Sequence, residues 1–241
     1  MQRRSLKGLG KQMIRIKYEL KRMASLALLA VFGLILFLLR GSILGTRMYL
    51  FILGWNLFLA LIPYGIAFVM LLISSYKHSK WWSMSLLPLG ALWLLFYPNA
   101  PYMLTSYAHF HWVLAQPYGV LFVLQPWYDL ILFTSVIWCA VLTGFASLTI
   151  IHSIVIKHFG RVSGWIVIAV ISFLSSWAIY LGRFIRLNSW YVFTNPGIVL
   201  PYIRLCGEKM IFVFFLGVFL MLAYICVYFF SGRDIKKPNI C

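Results

Sequence analysis

Trp93-Leu94-Leu95-Phe96-Tyr97-Pro98-Asn99-Ala100-Pro101-Tyr102-Met103-Leu104-Thr105-Ser106-Tyr107-Ala108-His109-Phe110-His111 begins as a membrane helix and then stops being one. Pro98 and Pro101 each remove a backbone donor and bias the preceding residue away from the α region. Asn99 stands between them. Backbone freed at membrane depth has to be satisfied by protein or by a wet cavity. The break is therefore either a helix exit at the interface or the wall of a site.

The rest of the chain fixes the class. Of its 241 residues 63% are hydrophobic and only 10% charged, with mean hydropathy +0.93. A soluble domain of this size has no use for so much apolar surface, so the chain reads as all-α, a polytopic membrane helix bundle. Lys plus Arg number 21 against 4 Asp plus Glu. In a soluble protein that balance would suggest nucleic acid. Here the bases cluster at the chain ends and in short loops, where they read as a topology signal and an attraction to anionic lipid. Cys139, Cys206, Cys226 and Cys241 form no metal-binding or redox spacing. Nothing calls for a cofactor.

Residues 1–22 read as a basic interfacial arm. Leu6, Leu9, Met13, Ile16 and Leu20 line one helical face among the bases, although Gly8 and Gly10 disfavour helix at the start. A single transmembrane domain spans residues 23–230, and 231–241 form a short basic tail. Six spans are expected. They are Met23–Leu39, Met48–Ile73, a short one at Ser83–Tyr97, a long one at Trp127–Ile156, Ser163–Ile185 and Met210–Phe230. Residues 112–126, with Pro117, Gly119 and Pro126, fit a re-entrant or interfacial element. The Lys and Arg distribution puts both termini and the loops at Lys77–Lys80 and Lys157–Arg161 on the inside.

With that orientation, polar groups converge on the outer end of the bundle. Asn56 lies near the start of the second span, and Asn99, Tyr102 and Thr105 follow the break. Asp129 opens the fourth span; Arg183 and Arg186 close the fifth, followed by Asn188 and Trp190. Arg presents a planar fork that suits carboxylate or phosphate. One acid cannot neutralise two arginines, so Asp129 is expected against Arg183, with Arg186 turned toward headgroups or ligand. His109 and Asp129 are the candidate acid–base pair. A metal site is disfavoured: Asp129 and His152 lie on one helix, roughly 35 Å apart at ~1.5 Å per residue, and His109, His111 and Asp129 make at most a partial ligand set.

Four blocks carry a resemblance: Trp55 through Pro63, Trp93 through His109, Trp127-Tyr128-Asp129-Leu130, and Ile179 through Trp190. They resemble the bacterial membrane-protein family called domain of unknown function 1361, over roughly residues 48–190. The PNAPY and LGRFxRxNSW blocks are the specific parts. The resemblance implies a multi-spanning protein of the bacterial plasma membrane and supplies no reaction. Ser106, not an acid, follows Thr105, so a mechanism that needs a second carboxylate lacks one here.

Four functions remain in view. The first is an outward-facing polar pocket for an anionic lipid headgroup or envelope precursor, with anionic membrane lipid as the partner. The others are an intramembrane enzyme on a lipid-linked substrate, a small-solute transporter, and an accessory membrane subunit.

Overall fold

The computed structural model describes residues 2–44, 47–75, 80–109, 125–186, 194, 195, 197 and 208–231, and every regular element among them is helical. Helix α1 is Gln2–Leu44, α2 Arg47–Ser75 and α3 Lys80–Phe96. A single turn, α4 (Asn99–Tyr102), leads into a 3-10 helix over Met103–His109. Then come α5 (Gln125–Phe159), α6 (Arg161–Tyr180) with a π-helical turn at Leu181–Ile185, and α7 (Glu208–Phe230). Five of these helices are long and apolar enough to cross a membrane. The other, α3, has 17 residues and is prolonged by the broken segment that follows it. Residues 112–124, most of the 188–207 loop and the tail beyond Ser231 lie outside the described residues.

Helix α5 is the axis of the bundle. In its most apolar stretch 78% of residues are buried, against 6% for α1. Its sequence explains this position. Ala140, Thr143, Gly144, Ala146, Ser147 and Thr149 are all buried, and small residues let neighbouring backbones approach closely in a membrane. The hydroxyls among them turn back on their own helix. Thr143 donates to the Cys139 carbonyl at 2.7 Å and Ser147 to the Gly144 carbonyl at 3.1 Å. These hydroxyls therefore do not depend on lipid for a partner.

Helix α1 runs antiparallel to α5, whereas α2 runs parallel to it, Lys157 at the end of α5 donating to the Ser74 carbonyl at the end of α2. Along α1, Arg15 reaches Ser153, Arg22 lies 3.5 Å from Thr149, the Leu26 carbonyl accepts from Cys139, the Leu36 carbonyl accepts from Tyr128, and Arg40 meets Asp129. Between α5 and α6 the chain reverses within one residue. Gly160 has φ +89°, a conformation that costs glycine little and an L side chain much. Helix α7 packs mainly on α6 and turns Phe214, Phe215, Phe219 and Leu222 outward, as suits a helix bordered by lipid.

One boundary in the sequence reading is not a boundary of structure. The arm at 1–22 and the first span form one unbroken helix that continues past Arg40, and Gly8 and Gly10 do not interrupt it. A continuous helix satisfies its own backbone, and Arg15, Glu19 and Arg22 find partners inside the bundle. The second turn of the reading concerns the break. Ser147 on α5 accepts a 3.1 Å hydrogen bond from the Trp93 indole, and Gly144 lies against Ala100. The break thus sits beside the middle of the 35-residue α5, not at either of its ends.

Candidate functional site

The two prolines do locally what their chemistry requires. Helix α3 ends at Phe96, and the chain restarts as α4 after Pro98. The Asn99 side chain donates to the Phe96 carbonyl at 2.9 Å, so this asparagine closes the end of α3. Tight contact holds the restart in place. A Cβ on Gly144 would stand 2.7 Å from the Ala100 Cβ, closer than two such atoms come, so only glycine admits α4 here. The 3-10 segment then climbs beside the first half of α5, where the Tyr107 hydroxyl lies 3.3 Å from Thr134 Oγ1.

A second irregular stretch meets the first. Helix α6 loosens into the π-helical turn, and Arg186 caps it with φ +61° and ψ +33°. That left-handed conformation is uncommon for a residue other than glycine. Single π turns recur at functional sites. This one presents Arg183 to the broken segment. The guanidinium donates to the Tyr102 hydroxyl at 3.4 Å and to the Thr105 carbonyl, and it lies 5.6 Å from the centre of the Tyr102 ring. The Thr105 hydroxyl donates to the Tyr102 carbonyl at 2.7 Å, which fixes that wall. Arg183 lies within a helix apolar enough to span the membrane. Its hydrogen-bond partners among the described residues are neutral.

The expected Asp129–Arg183 pair does not form. Asp129 belongs to Arg40, whose Nε donates to Oδ1 at 2.6 Å and whose Nη2 donates to Oδ2 at 3.0 Å. Both groups are dry, with Arg40 7% and Asp129 2% exposed. A two-point pair between a planar guanidinium and a carboxylate is the strongest form of such a bond. Arg40 was overlooked as a partner because it follows the apolar run Met23–Leu39 and so reads as a loop cation. The helix runs on to Leu44, which keeps Arg40 inside the bundle.

Of the other candidates, Asn56 is half-buried on α2 and His109 half-buried at the end of the 3-10 helix, whereas Arg186 is exposed. Arg183 is half-buried against the broken segment while Arg186, in its left-handed cap, is exposed. His111, Asn188 and Trp190 lie outside the described residues. Among the described residues no three His, Cys, Asp or Glu side chains gather into a metal-binding group.

The opposite end of the α1–α5 seam holds groups that the reading of the outer end left aside. Glu19 is 1% exposed. It receives Arg22 Nη1 at 3.2 and 3.4 Å and the Tyr64 hydroxyl at 3.2 Å. Glu19, Leu26, Gly33 and Arg40 recur every seven residues, two turns apart, and that spacing was the available signal. His152 is also buried, with Nδ1 2.8 Å from the Tyr224 hydroxyl and the rings of Trp165 and Tyr228 beside it. It joins α5, α6 and α7 and stands on the far half of α5 from Asp129.

Among the described residues, an all-helical bundle with five helices long and apolar enough to cross a membrane, buried ion pairs and a broken helix against its axis defines a multi-pass membrane protein. Within that class the chain belongs to the family described as a protein of unknown function, DUF1361, whose model matches residues 55–225. No curated protein and no solved structure matches it.

Proposed function

We propose that the protein binds an anionic group, a lipid headgroup or an envelope precursor, in a polar recess walled by the broken segment and the π-helical turn. The observation that carries this reading is Arg183. A guanidinium within an apolar span is costly and ordinarily has a charged partner. Asp129 is occupied by Arg40, while Arg183 rests on a phenol and a carbonyl. Among the described residues it donates to these two acceptors, and a guanidinium carries five N–H donors. The bidentate hold of Arg40 on Asp129 disfavours the acid–base alternative, since that carboxylate has both oxygens engaged. The Lys and Arg distribution supports placing this end outside the plasma membrane of a bacterium, with both termini inside.

Arg183→Gln tests the reading. The purified protein in nanodiscs of mixed phospholipid, examined by native mass spectrometry, should retain anionic lipid in preference to zwitterionic lipid. The variant should lose that preference while its unfolding midpoint shifts by only about 0–1 kcal/mol in equivalent stability. Equal retention by both proteins rules the recess out as an anion site. Outside labelling of a cysteine at Ser79 in intact cells would move the recess to the cytoplasmic face.

A further inference from the structure

Helix α5 is the buried axis of the bundle, yet one stripe along its first half is bare. Trp127, Ile131, Trp138 and Leu142 are exposed, and Thr134 is half-buried. With Phe145 these residues follow one another at three- and four-residue steps, so they share one helical face. Farther along, the same face is covered. Phe145 packs against Tyr224 of α7, Thr149 lies 3.5 Å from Arg22 of α1, and His152 meets the Tyr224 hydroxyl.

Lipid suits the other bare faces. Leu28, Ile35 and Leu38 on α1 and Phe215, Phe219 and Leu222 on α7 point outward, and none has a side-chain polar atom to satisfy. The stripe on α5 differs by Trp138, whose indole N–H has no hydrogen-bond partner among the described residues. Its depth makes that costly. Asp129 and Thr149 stand at the two charged ends of the α1–α5 seam. Along α5 they are ~30 Å apart, about the thickness of the hydrocarbon core. Trp138 lies roughly 14 Å from the first and roughly 16 Å from the second. The indole therefore faces mid-core, away from the interfacial water and headgroups that ordinarily serve tryptophan. A donor left unsatisfied in hydrocarbon is unfavourable.

We infer that this stripe is the contact between two copies of the chain, paired about a twofold axis along the membrane normal. The occupant is a second copy because the stripe complements itself. In a twofold pair residue i meets residue j and j meets i. Trp138 of each copy then lies one turn from Thr134 of the other. The Thr134 hydroxyl accepts from Tyr107 at 3.3 Å, and a hydroxyl has a second lone pair for the indole. The bond is thus made twice. Apolar side chains at three- and four-residue steps pack into a like helix at a shallow angle, and hydrogen bonds between helices add to such association in lipid. Because α7 lies over the second half of the stripe, the contact is confined to the first.

The test counts copies in lipid. The full chain, labelled for energy transfer and diluted in liposomes of neutral phospholipid, should pass from dimer to monomer as lipid is added. Trp138→Phe keeps a ring and removes the donor. This variant and Thr134→Val should each shift the midpoint about threefold to tenfold toward monomer, whereas Leu222→Ala on the outer face of α7 should leave it in place. With the native cysteines replaced by serine, Trp138→Cys should form a disulfide between copies in native membranes under copper-phenanthroline oxidation, and Phe219→Cys should not. Four results overturn the inference: a monomer at every density, a midpoint indifferent to both Trp138→Phe and Thr134→Val, equal cross-linking at the two positions, or a Trp138→Cys disulfide made only to a different protein.

Discussion

The two ends of the seam between α1 and α5 each hold an acid paired with an arginine, and they differ in how the pair connects the helices. At one end Arg40 and Asp129 belong to different helices, meet at two points and are 7% and 2% exposed. At the other, Glu19 and Arg22 belong to the same helix three residues apart, and Arg22 keeps 20% exposure. The first pair fastens helix to helix. The second neutralises a buried charge within one helix and leaves the fastening to Tyr64 and Thr149. Two acid–arginine pairs thus take unequal structural roles, because only a pair across the interface is lost when helices separate.

That contrast is open to direct attack. Asp129→Asn leaves a buried guanidinium without its partner and should cost about 3–5 kcal/mol, read as denaturant unfolding in micelles. Adding Arg40→Met to Asp129→Leu should recover most of the loss, since a packed apolar pair replaces a buried ionic one at little net change. A small effect of Asp129→Asn would place the pair in water and erase the distinction between the ends. Between the ends the seam has no charge, and on another face of α5, where Gly144 meets Ala100 of α4, sterics decide. Gly144→Ala should cost about 1–3 kcal/mol through overpacking against Ala100, with a shift in the accessibility of cysteines introduced along the 3-10 segment. If Gly144→Ala unfolds no earlier than the native chain, α4 is not clamped at that depth.

Glu19→Gln should cost about 1–2 kcal/mol, because Arg22 can turn to water and the Tyr64 hydroxyl keeps an amide oxygen to bond. A loss equal to that of Asp129→Asn would show the in-helix pair to be as binding as the inter-helix one. The smallest effect belongs to the start of α1. Deleting residues 2–11 should change stability by less than about 0.5 kcal/mol, whereas deleting 2–20 also removes Arg15 and Glu19 and should approach the Glu19→Gln loss or exceed it. Equal unfolding curves for the two deletions would remove Glu19 from the seam.

Much of the architecture was legible because membrane spans announce themselves residue by residue. Four apolar runs and the short one at Ser83–Tyr97 stand within a few residues of the observed helices, while the first, Met23–Leu39, is the inner part of a helix that begins at Gln2, and the double-proline break is where the sequence puts it. The candidate site was legible in part. Tyr102, Thr105 and Arg183 come together, while Asp129 does not join them. That error has a specific source. Apolar periodicity ends the first span at Leu39, so Arg40 is assigned to water and Asp129 is left to the next arginine available. Glu19 was hidden by its neighbours, since one acid among Arg15, Lys17, Lys21 and Arg22 looks like surface.

The sequence by itself determined that this chain is a membrane bundle, where its helices run and that one of them is broken, because burial in lipid acts on each segment through its own composition and backbone. Which charge meets which was decided only by tertiary structure. An ion pair depends on helix register and rotation, and these follow from packing across the whole of α5: Gly144 admitting Ala100, Tyr128 reaching Leu36 and Arg15 reaching Ser153. The same packing puts the break at mid-depth and Arg183 beside it, a placement that neither segment specifies alone.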